Sequence, residues 1–292
     1  MPTPRSASSR HARLPVLVLA FSCLLAAQAR QPAPAFFFIQ LTDPQFGMWA
    51  DNANIDQETA NLEFAVATIN RLRPAFVVVT GDLVNRAADD AQVSAYLRIM
   101  GQVDRSIPVY NLPGNHDVGN TPTPDTVAAY VKRFGPDHYT FRRGNLAGIV
   151  LDSVLMFAPG KVPDAAAEQD RWLRAELERA RRDGVTLIVV FQHHPFFVKD
   201  PGEADAYENI PRERRAKYLA LLAEFGVKKV FAGHYHRNAL GRSDAMEIVT
   251  TGPIGKPLGE GAKSGMRIVT VSDAGIEHRY YDLGDLPNKI RQ

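Results

Sequence analysis

The feature that most constrains the fold of this sequence is a set of short apolar runs, each followed by glycine, acidic, amide or histidine residues. Five of these runs have the length of buried β-strands, and segments with the 3.6-residue apolar spacing of amphipathic helices lie between them. The five runs are 36–42 before Asp43, 76–80 before Gly81-Asp82, 108–112 before Gly114-Asn115, 186–192 before His193 and 228–232 before Gly233-His234. Ligands of an α/β sheet bind at the C-terminal ends of its strands, so the pattern predicts a polar site there.

The rest of the chain continues this alternation until it changes near its C-terminal end. A further strand is predicted at 146–152, and helices are predicted at 57–72, 90–103, 125–134, 165–182 and 211–225. From Met246 onward only strands are predicted, at 248–251, 266–271 and 276–281. An alternating part followed by an all-β end predicts an α/β fold of two packed sheets with helices outside. No linker interrupts this order, so we expect one domain over residues 36–285.

Composition and charge narrow the class of protein. The chain has 292 residues, of which 45% are apolar and 23% are charged, and these values exclude a disordered or fibrous protein. The first 29 residues contain three arginines and no acid, which leaves 31 basic and 32 acidic residues in the remainder. That balance excludes the broad cationic surface of a nucleic-acid-binding protein.

The N-terminal segment has the order of a secretory signal peptide. A basic stretch at residues 5–13 precedes an apolar run at 14–27 and the small-residue site Ala27-Gln28-Ala29. The run is too short for an ordinary membrane span, and no later segment has 18 consecutive apolar residues. We expect cleavage of residues 1–29 and export of the mature chain, without a membrane span, to a periplasmic or extracellular location.

The single cysteine bears on the same prediction. Cys23 lies inside the apolar run, so cleavage after Ala29 leaves a mature chain without cysteine, which suits an oxidising compartment without disulfides. Lipidation at Cys23 is an alternative, although Phe21 is bulky for a lipoprotein signal. An uncleaved anchor is the other alternative.

The histidines concentrate at the predicted strand ends. Seven histidines follow residue 29, and five of them stand in the loops after the strands: His116, His193, His194, His234 and His236. His138 and His278 have no such context, and we expect them to be structural. Clustering of this kind predicts metal or acid–base chemistry at the strand ends.

The ordered motifs resemble those of a known family. They are Asp43-x-Gln45, Gly81-Asp82, Gly114-Asn115-His116-Asp117, His193 and Gly233-His234-Tyr235-His236. Together they resemble the motif set of the calcineurin-like metallophosphoesterases. The sequences at 119–123 and 169–173 resemble a narrower subgroup, that of calcineurin-like phosphoesterase domain-containing protein 1, which is regarded as a serine/threonine phosphatase. The resemblance implies a four-layer αββα fold, a two-sheet β-sandwich flanked by helices, with a two-metal site at the strand ends.

The resemblance also implies a set of ligands for two divalent ions. These are Asp43, Gln45, Asp82, Asn115, His193, His234 and His236, with Asp82 bridging the ions. Gln45 stands where most relatives have histidine. An amide oxygen is a harder and weaker donor than imidazole. At the ion that the resemblance assigns to Asp43, Gln45 and His236, this change favours manganese, magnesium or iron over zinc. In the alternative, Gln45 is only a loop residue beside a water ligand.

Further roles follow from the resemblance for residues next to the ligands. It implies that a hydroxide bridging the ions attacks the phosphate while His116 protonates the leaving oxygen and Asp117 orients the His116 ring. A turn or helix cap is the alternative for Asp117. Arg237 is a candidate contact for a phosphate oxygen or else a surface residue, and His194 is open between substrate contact, support of a ligand and a structural role.

The function that these residues predict is metal-dependent hydrolysis of phosphate monoesters. One alternative is a phosphodiesterase acting on nucleotides or cyclic nucleotides, because the same metal site serves both reactions. Another is a metal- or phosphate-binding protein with little turnover, as the weak donor Gln45 suggests. His116 and Asp117 favour an enzyme, since a binding protein needs no proton donor. The sequence does not indicate the oligomeric state.

Overall fold

A computed structural model of the chain describes residues 1–3, 35–244 and 246–290. The predicted signal peptide, residues 1–29, and the alternative lipidation site Cys23 lie outside the described residues apart from the first three. In the part that the structure describes, no helix is both long and apolar enough to cross a membrane.

Eleven strands and seven α-helices alternate along the described residues. The strands are β1 Phe36–Leu41, β2 Val77–Thr80, β3 Val109–Leu112, β4 Tyr139–Arg143, β5 Leu146–Val150, β6 Leu187–Phe191, β7 Lys229–Ala232, β8 Ala239–Arg242, β9 Glu247–Thr250, β10 Gly265–Ser272 and β11 Gly275–Asp282. The helices are α1 Asp56–Leu72, α2 Asp90–Met100, α3 Asn115–Val118, α4 Pro124–Phe134, α5 Ser153–Phe157, α6 Pro163–Arg182 and α7 Arg212–Glu224. Every strand and helix predicted from the sequence is present, and β4, β8, α3 and α5 are additional.

The strands form two mixed sheets. One has the order β11-β10-β1-β2-β3, and the other has the order β4-β5-β6-β7-β9-β8. Strands β1 to β3 run parallel in the first sheet, as do β5, β6, β7 and β9 in the second. Parallel strands end at the same edge of their sheet, so the loops after β1, β2 and β3 lie together, as do those after β6 and β7.

Aromatic side chains fill the space between the sheets. The Phe38 ring on β1 lies 4.6 Å from the Phe76 ring and 5.7 Å from the rings of Phe191 on β6 and Phe231 on β7. All four side chains are buried. Rings packed at these distances and angles hold the two sheets face to face.

The helices cover the outer faces of both sheets. Helices α1 and α2 pack on the first sheet, and α6 and α7 pack on the second. Leu173 and Leu177 of α6 are buried and Trp172 is partly buried against them, which is the apolar stripe that the sequence predicts. The predicted two-sheet sandwich flanked by helices is therefore confirmed.

Candidate metal centre

The strand ends of both sheets bring acidic, amide and histidine side chains together. His193 Nε2 lies 3.3 Å from Asp82 Oδ2, and His236 Nε2 lies 3.5 Å from Asp43 Oδ1. Two groups have their ligand atoms within 4.8 Å of one another: Asp82 with His193 and His234, and Asp43 with Asp82 and His236. Asp82 belongs to both groups, so it occupies the position of a residue that could bridge two ions.

The carboxylates at this centre are removed from water. Asp43 is 0% and Asp82 is 1% exposed, and the predicted ligands around them are also buried. Two buried negative charges require positive charge or protons nearby, because desolvation of an ionised carboxylate is costly. Divalent cations would supply this positive charge.

The three histidines share one arrangement. Each has one ring nitrogen within hydrogen-bond distance of a main-chain carbonyl and the other turned towards the cluster. The carbonyl contacts are His193 Nδ1 to Thr80 O at 2.9 Å, His234 Nε2 to Tyr207 O at 2.8 Å and His236 Nδ1 to Lys256 O at 2.6 Å. An N–H that donates to a carbonyl fixes the tautomer and leaves the opposite nitrogen as a lone pair, which is how histidines at metal sites are held.

Without an ion, the charges of these groups compensate one another. Burial raises the pKa of Asp43. Burial opposes ionisation of Asp82 as well, but the adjacent His193 ring outweighs it and the pKa of Asp82 is lowered. Burial acts to lower the pKa of His193, and Asp82 and Asp43 raise it to about 9. Burial and the charge on His193 lower the pKa of His234 to about 3. A positive charge beside Asp82 is therefore what this cluster favours.

Five of the predicted ligands have left-handed backbone conformations. Their φ angles are 49° at Asp43, 40° at Gln45, 50° at Asp82, 68° at His234 and 54° at His236. Such conformations are uncommon outside glycine and cost on the order of 1–3 kcal/mol each, and they cluster at functional sites. The residue types predict the ligands but do not reveal this strain.

Two glycines allow the close approach of these loops. A Cβ atom at Gly114 would lie 2.1 Å from Asp82 Oδ1, and one at Gly233 would lie 1.8 Å from Thr42 Oγ1 and 2.6 Å from Asp43 Oδ2. Both positions therefore exclude any side chain, because it would occupy the space of the carboxylates.

Gln45 is buried next to Asp82. It is 1% exposed, and its main-chain N–H donates to the Asp82 carbonyl at 2.8 Å. Its Nε2 donates to Asn85 Oδ1 at 3.1 Å, whereas Oε1 is buried and has no hydrogen-bond partner among the described residues. A buried oxygen without a partner is unfavourable unless something positive contacts it, so the donor set fits a divalent cation.

His116 and Asp117 lie beside the cluster in α3, but they do not contact each other as expected. The Asp117 carboxylate accepts hydrogen bonds from the main-chain N–H groups of Leu83, Val84 and Gly114. The His116 ring instead places Nδ1 3.0 Å from the Asn85 carbonyl. The prediction that Asp117 orients the His116 ring is therefore wrong, and its alternative as a turn and cap residue fits the structure.

The candidate substrate residues differ in position. His194 is fully buried between the Phe157 ring at 4.8 Å and the His234 ring at 4.2 Å, so it has no exposed surface for a substrate, and the substrate-contact alternative is wrong. Arg237 is exposed, donates from Nε to the Leu258 carbonyl at 2.7 Å and lines a cavity of about 270 Å³ that also includes His236.

Tyr207 is not identified by any sequence motif, although it contacts two predicted ligands. Its hydroxyl lies 2.9 Å from Asn115 Nδ2, and its carbonyl accepts from His234. It belongs to the charged segment 199–215, whose length and position after His193 are the only sequence signals for it.

The amino-acid sequence is similar to those of known proteins. A family model described as "Calcineurin-like phosphoesterase" matches residues 38–238. The "Serine/threonine-protein phosphatase CPPED1" of Bos taurus is 39% identical over 269 residues, which cover 87% of this chain and 86% of that protein.

Two solved structures share the fold. A dimetal phosphatase from Danio rerio has a TM-score of 0.59 and 16% identity, with 86% of this chain and all of that chain covered. The purple acid phosphatase PPD1 from yellow lupin seeds has a TM-score of 0.66 and 12% identity, with 87% of this chain and 52% of that chain covered.

Proposed function

The chain belongs to the calcineurin-like phosphoesterase family, and from this premise we propose that it is a phosphomonoesterase that uses two divalent ions to act on phosphoserine and phosphothreonine. It is a hydrolase that depends on metal for phosphate-ester hydrolysis. The number of ions and the substrate class are the parts that we propose. Asp82, shared by both groups of ligand atoms, supports two ions. The relatives named as serine/threonine phosphatases support the substrate class.

The observation that carries the proposal is the shared orientation of His193, His234 and His236. Three rings held by carbonyls, with their free nitrogens directed at two buried carboxylates, make a centre for cations. Neutral imidazole and amide donors leave part of the charge of the ions uncompensated, so a phosphate anion is attracted to the centre. Manganese, magnesium or iron suits the oxygen donor Gln45 better than zinc does.

The ions and His116 would have different roles in the proposed reaction. When bound, the ions would supply positive charge to the phosphoryl oxygens and lower the pKa of a water molecule. His116 has a half-buried ring beside the cluster, and its main-chain N–H donates to Asp82 Oδ1 at 2.8 Å. With Nδ1 held at the Asn85 carbonyl, Nε2 is the atom that would hold the proton for the leaving oxygen.

A substrate panel with added metal tests this function. The chain, stripped with a chelator and resupplied with Mn²⁺, should hydrolyse a phosphoserine peptide and p-nitrophenyl phosphate faster than bis(p-nitrophenyl) phosphate or cyclic nucleotides. Asp82→Asn should lose both metal and activity, whereas Asp104→Asn, the same exchange at an exposed carboxylate, should keep both. Faster hydrolysis of the diesters would replace the proposal with a phosphodiesterase, and no turnover with bound Mn²⁺ would replace it with a binding protein.

We also propose that the chain is exported after cleavage behind Ala29. The basic stretch, the apolar run and the small-residue site at the N-terminus support this. Mass spectrometry of the protein from its own cells should find Arg30 as the first residue in the periplasmic or extracellular fraction. An intact N-terminal Met1 in the cytoplasmic fraction would contradict export.

A further inference from the structure

The side-chain amide of Asn115 has two chemically different ends, and only one can bind a cation. Oδ1 carries lone pairs, whereas Nδ2 presents two protons. The side chain is 2% exposed, and Oδ1 lies 3.0 Å from His193 Nε2, on the side of the Asp82, His193 and His234 group. The two ends have nearly the same size, so packing alone does not choose between them.

Two acceptors stand at the opposite end of this amide. Asn115 Nδ2 donates to Asn120 Oδ1 at 2.8 Å and to the Tyr207 hydroxyl at 2.9 Å. The Tyr207 hydroxyl in turn donates to Asn120 Oδ1 at 3.4 Å. Its proton is therefore directed at Asn120, and its oxygen accepts from Asn115. Rotation of the Asn115 amide by half a turn would place Oδ1 against Asn120 Oδ1, where neither atom can donate unless the exposed Asn120 amide rotates as well.

We propose that Asn120 and Tyr207 are positioning residues that hold the oxygen of Asn115 towards the metal ion and its NH₂ group away from it. This inference rests on the proposed function, since it assumes that Asn115 ligates an ion. Asn120 Oδ1 accepts both from Asn115 and from the Tyr207 hydroxyl, so it also directs the Tyr207 proton, and we expect Asn120 to contribute more than Tyr207.

The segment that carries Tyr207 is held in place independently of any ion. Arg215 is 1% exposed, and its guanidinium donates to the carbonyls of Ile210, Pro201 and Glu203 at 2.9–3.0 Å. Tyr207 also accepts from His234 Nε2 through its own carbonyl at 2.8 Å. Tyr207 thus contacts two predicted ligands, Asn115 and His234, and each contact sets which atom of the ligand side chain faces the cluster.

Metal titration of the stripped full-length protein tests the inference without any substrate. Isothermal titration with Mn²⁺ should show binding about 10- to 100-fold weaker in Asn120→Leu, the usual loss when a partner of a ligand is removed. Asn120→Asp, which keeps an acceptor oxygen, should bind within about threefold of wild type. Tyr207→Phe, which keeps the carbonyl contact to His234, should lose less than Asn120→Leu.

A double-mutant cycle separates orientation of the amide from support of the loop. A carboxylate has two equivalent oxygens and needs no orientation, so Asn120→Leu should have no effect on Mn²⁺ affinity in an Asn115→Asp background. Loss of affinity in both backgrounds would assign Asn120 to the loop structure and overturn the inference.

The outcomes also distinguish this inference from the proposed function. Wild-type affinity in Asn120→Leu, with Mn²⁺ bound normally by the wild-type chain, would overturn the inference alone. A wild-type chain that binds no Mn²⁺ would overturn both. Equal losses in Asn120→Leu and Asn120→Asp would also contradict the inference, because an acceptor at position 120 would then be irrelevant.

Discussion

At the scale of single residues, Gln45 combines an unfavourable backbone conformation with a buried side-chain oxygen that has no hydrogen-bond partner in the described part of the chain. Its φ angle of 40° lies in the left-handed region, which asparagine, aspartate and histidine enter far more readily than glutamine. Its Oε1 is buried without a hydrogen-bond partner among the residues described. A cation bound to Oε1 would compensate this oxygen, so we expect Gln45 to be a ligand rather than only a loop residue.

Exchange of this residue should change the preferred metal. Gln45→His supplies an imidazole nitrogen, the better donor for zinc, so the ratio of Zn²⁺ to Mn²⁺ affinity should rise by about tenfold or more. Competition titrations of the stripped protein measure this ratio. Gln57→His, which adds a histidine on the exposed face of α1, is the control. An unchanged ratio in Gln45→His would show that position 45 does not ligate the ion.

Loss of His116 should depend on the leaving group of the substrate. His116→Ala removes the proton donor, so hydrolysis of an alkyl phosphate such as phosphoserine should slow by about 10²- to 10⁴-fold. Hydrolysis of p-nitrophenyl phosphate should slow much less, because nitrophenolate leaves without a proton. Metal content, measured on the same samples, should stay close to that of wild type. Equal losses on both substrates would make His116 a residue that positions phosphate.

Residue types predict the ligands of this site better than they predict the contacts between side chains. Asp43, Asp82 and the histidines are recognisable because metal chemistry demands those types at strand ends. The partner of the His116 ring is a main-chain carbonyl, that of Asn85, and any residue could supply it. Sequence reasoning therefore assigns that place to Asp117, whose carboxylate binds three main-chain N–H groups instead.

At the scale of elements, the strands that sequence reasoning misses are those at the two edges of the second sheet. In β4, Arg142 and Arg143 are exposed, and β8 contains Gly241 and the exposed Arg242. These two edge strands carry exposed charges and lack the apolar run that identifies the other strands. The interior strands, covered on both faces, are predicted within one or two residues of their bounds.

The start of α5 predicts a pH dependence of stability. The Asp152 side chain caps this helix by accepting from the N–H groups of Val154 and Leu155. Burial raises the pKa of Asp152 to about 7, whereas aspartic acid in an unfolded chain has a pKa of about 3.9. As the pH rises the unfolded state loses this proton first. The contribution of Asp152 to the free energy of unfolding is therefore present below about pH 4 and is lost as the pH rises to about 7.

Asp152→Asn should remove this dependence while keeping the cap, since asparagine caps helices as well as aspartate does. Its free energy of unfolding relative to wild type should therefore rise between pH 4 and pH 7, by at most about 4 kcal/mol. Urea unfolding of the stripped protein at several pH values measures the difference. Asp89→Asn, the same exchange at the partly exposed cap of α2, is the control. A difference that does not change with pH would contradict the prediction.

At the scale of the whole molecule, a buried arginine connects the two sheets through hydrogen bonds. Arg267 on β10 is 6% exposed, and its guanidinium donates to Thr251 Oγ1 and to Asn238 Oδ1, both at 2.6 Å. Both acceptors belong to the second-sheet side of the molecule, following β9 and β7. Burial lowers the pKa of Arg267 to about 10, so it stays charged at neutral pH.

Removal of this arginine should weaken the packing of the sheets. Arg267→Ala removes the charged donor of the buried Thr251 hydroxyl oxygen and should lower the free energy of unfolding by about 3 kcal/mol. Arg267→Met, which fills the volume without charge, should lose less. Urea unfolding measures both, with the exposed Arg105→Ala as control. Equal stability of Arg267→Ala and Arg105→Ala would show that the hydrogen bonds of Arg267 contribute nothing to the free energy of unfolding.

The fold class is predictable from the sequence, but the order of strands is not. Alternating apolar runs and amphipathic helices predict two covered sheets because both patterns report local burial. Strand β10 pairs with β1 through contacts such as Phe38 with Val269, which lie far apart in the chain. A single sequence contains no signal for which distant strands pair, since many partners satisfy the same pattern.

The candidate metal ligands are divided between the two sheets, so a bound ion would connect them. Asp43 and Asp82 come from the first sheet, whereas His193, His234 and His236 come from the second, and each group of donor atoms contains both kinds. Neither sheet alone supplies either group of ligand atoms, so each group is complete only when the two sheets are packed together. Once bound, an ion acts as a cross-link, adding about 2.7 kcal/mol of stability when its concentration is 100 times the Kd.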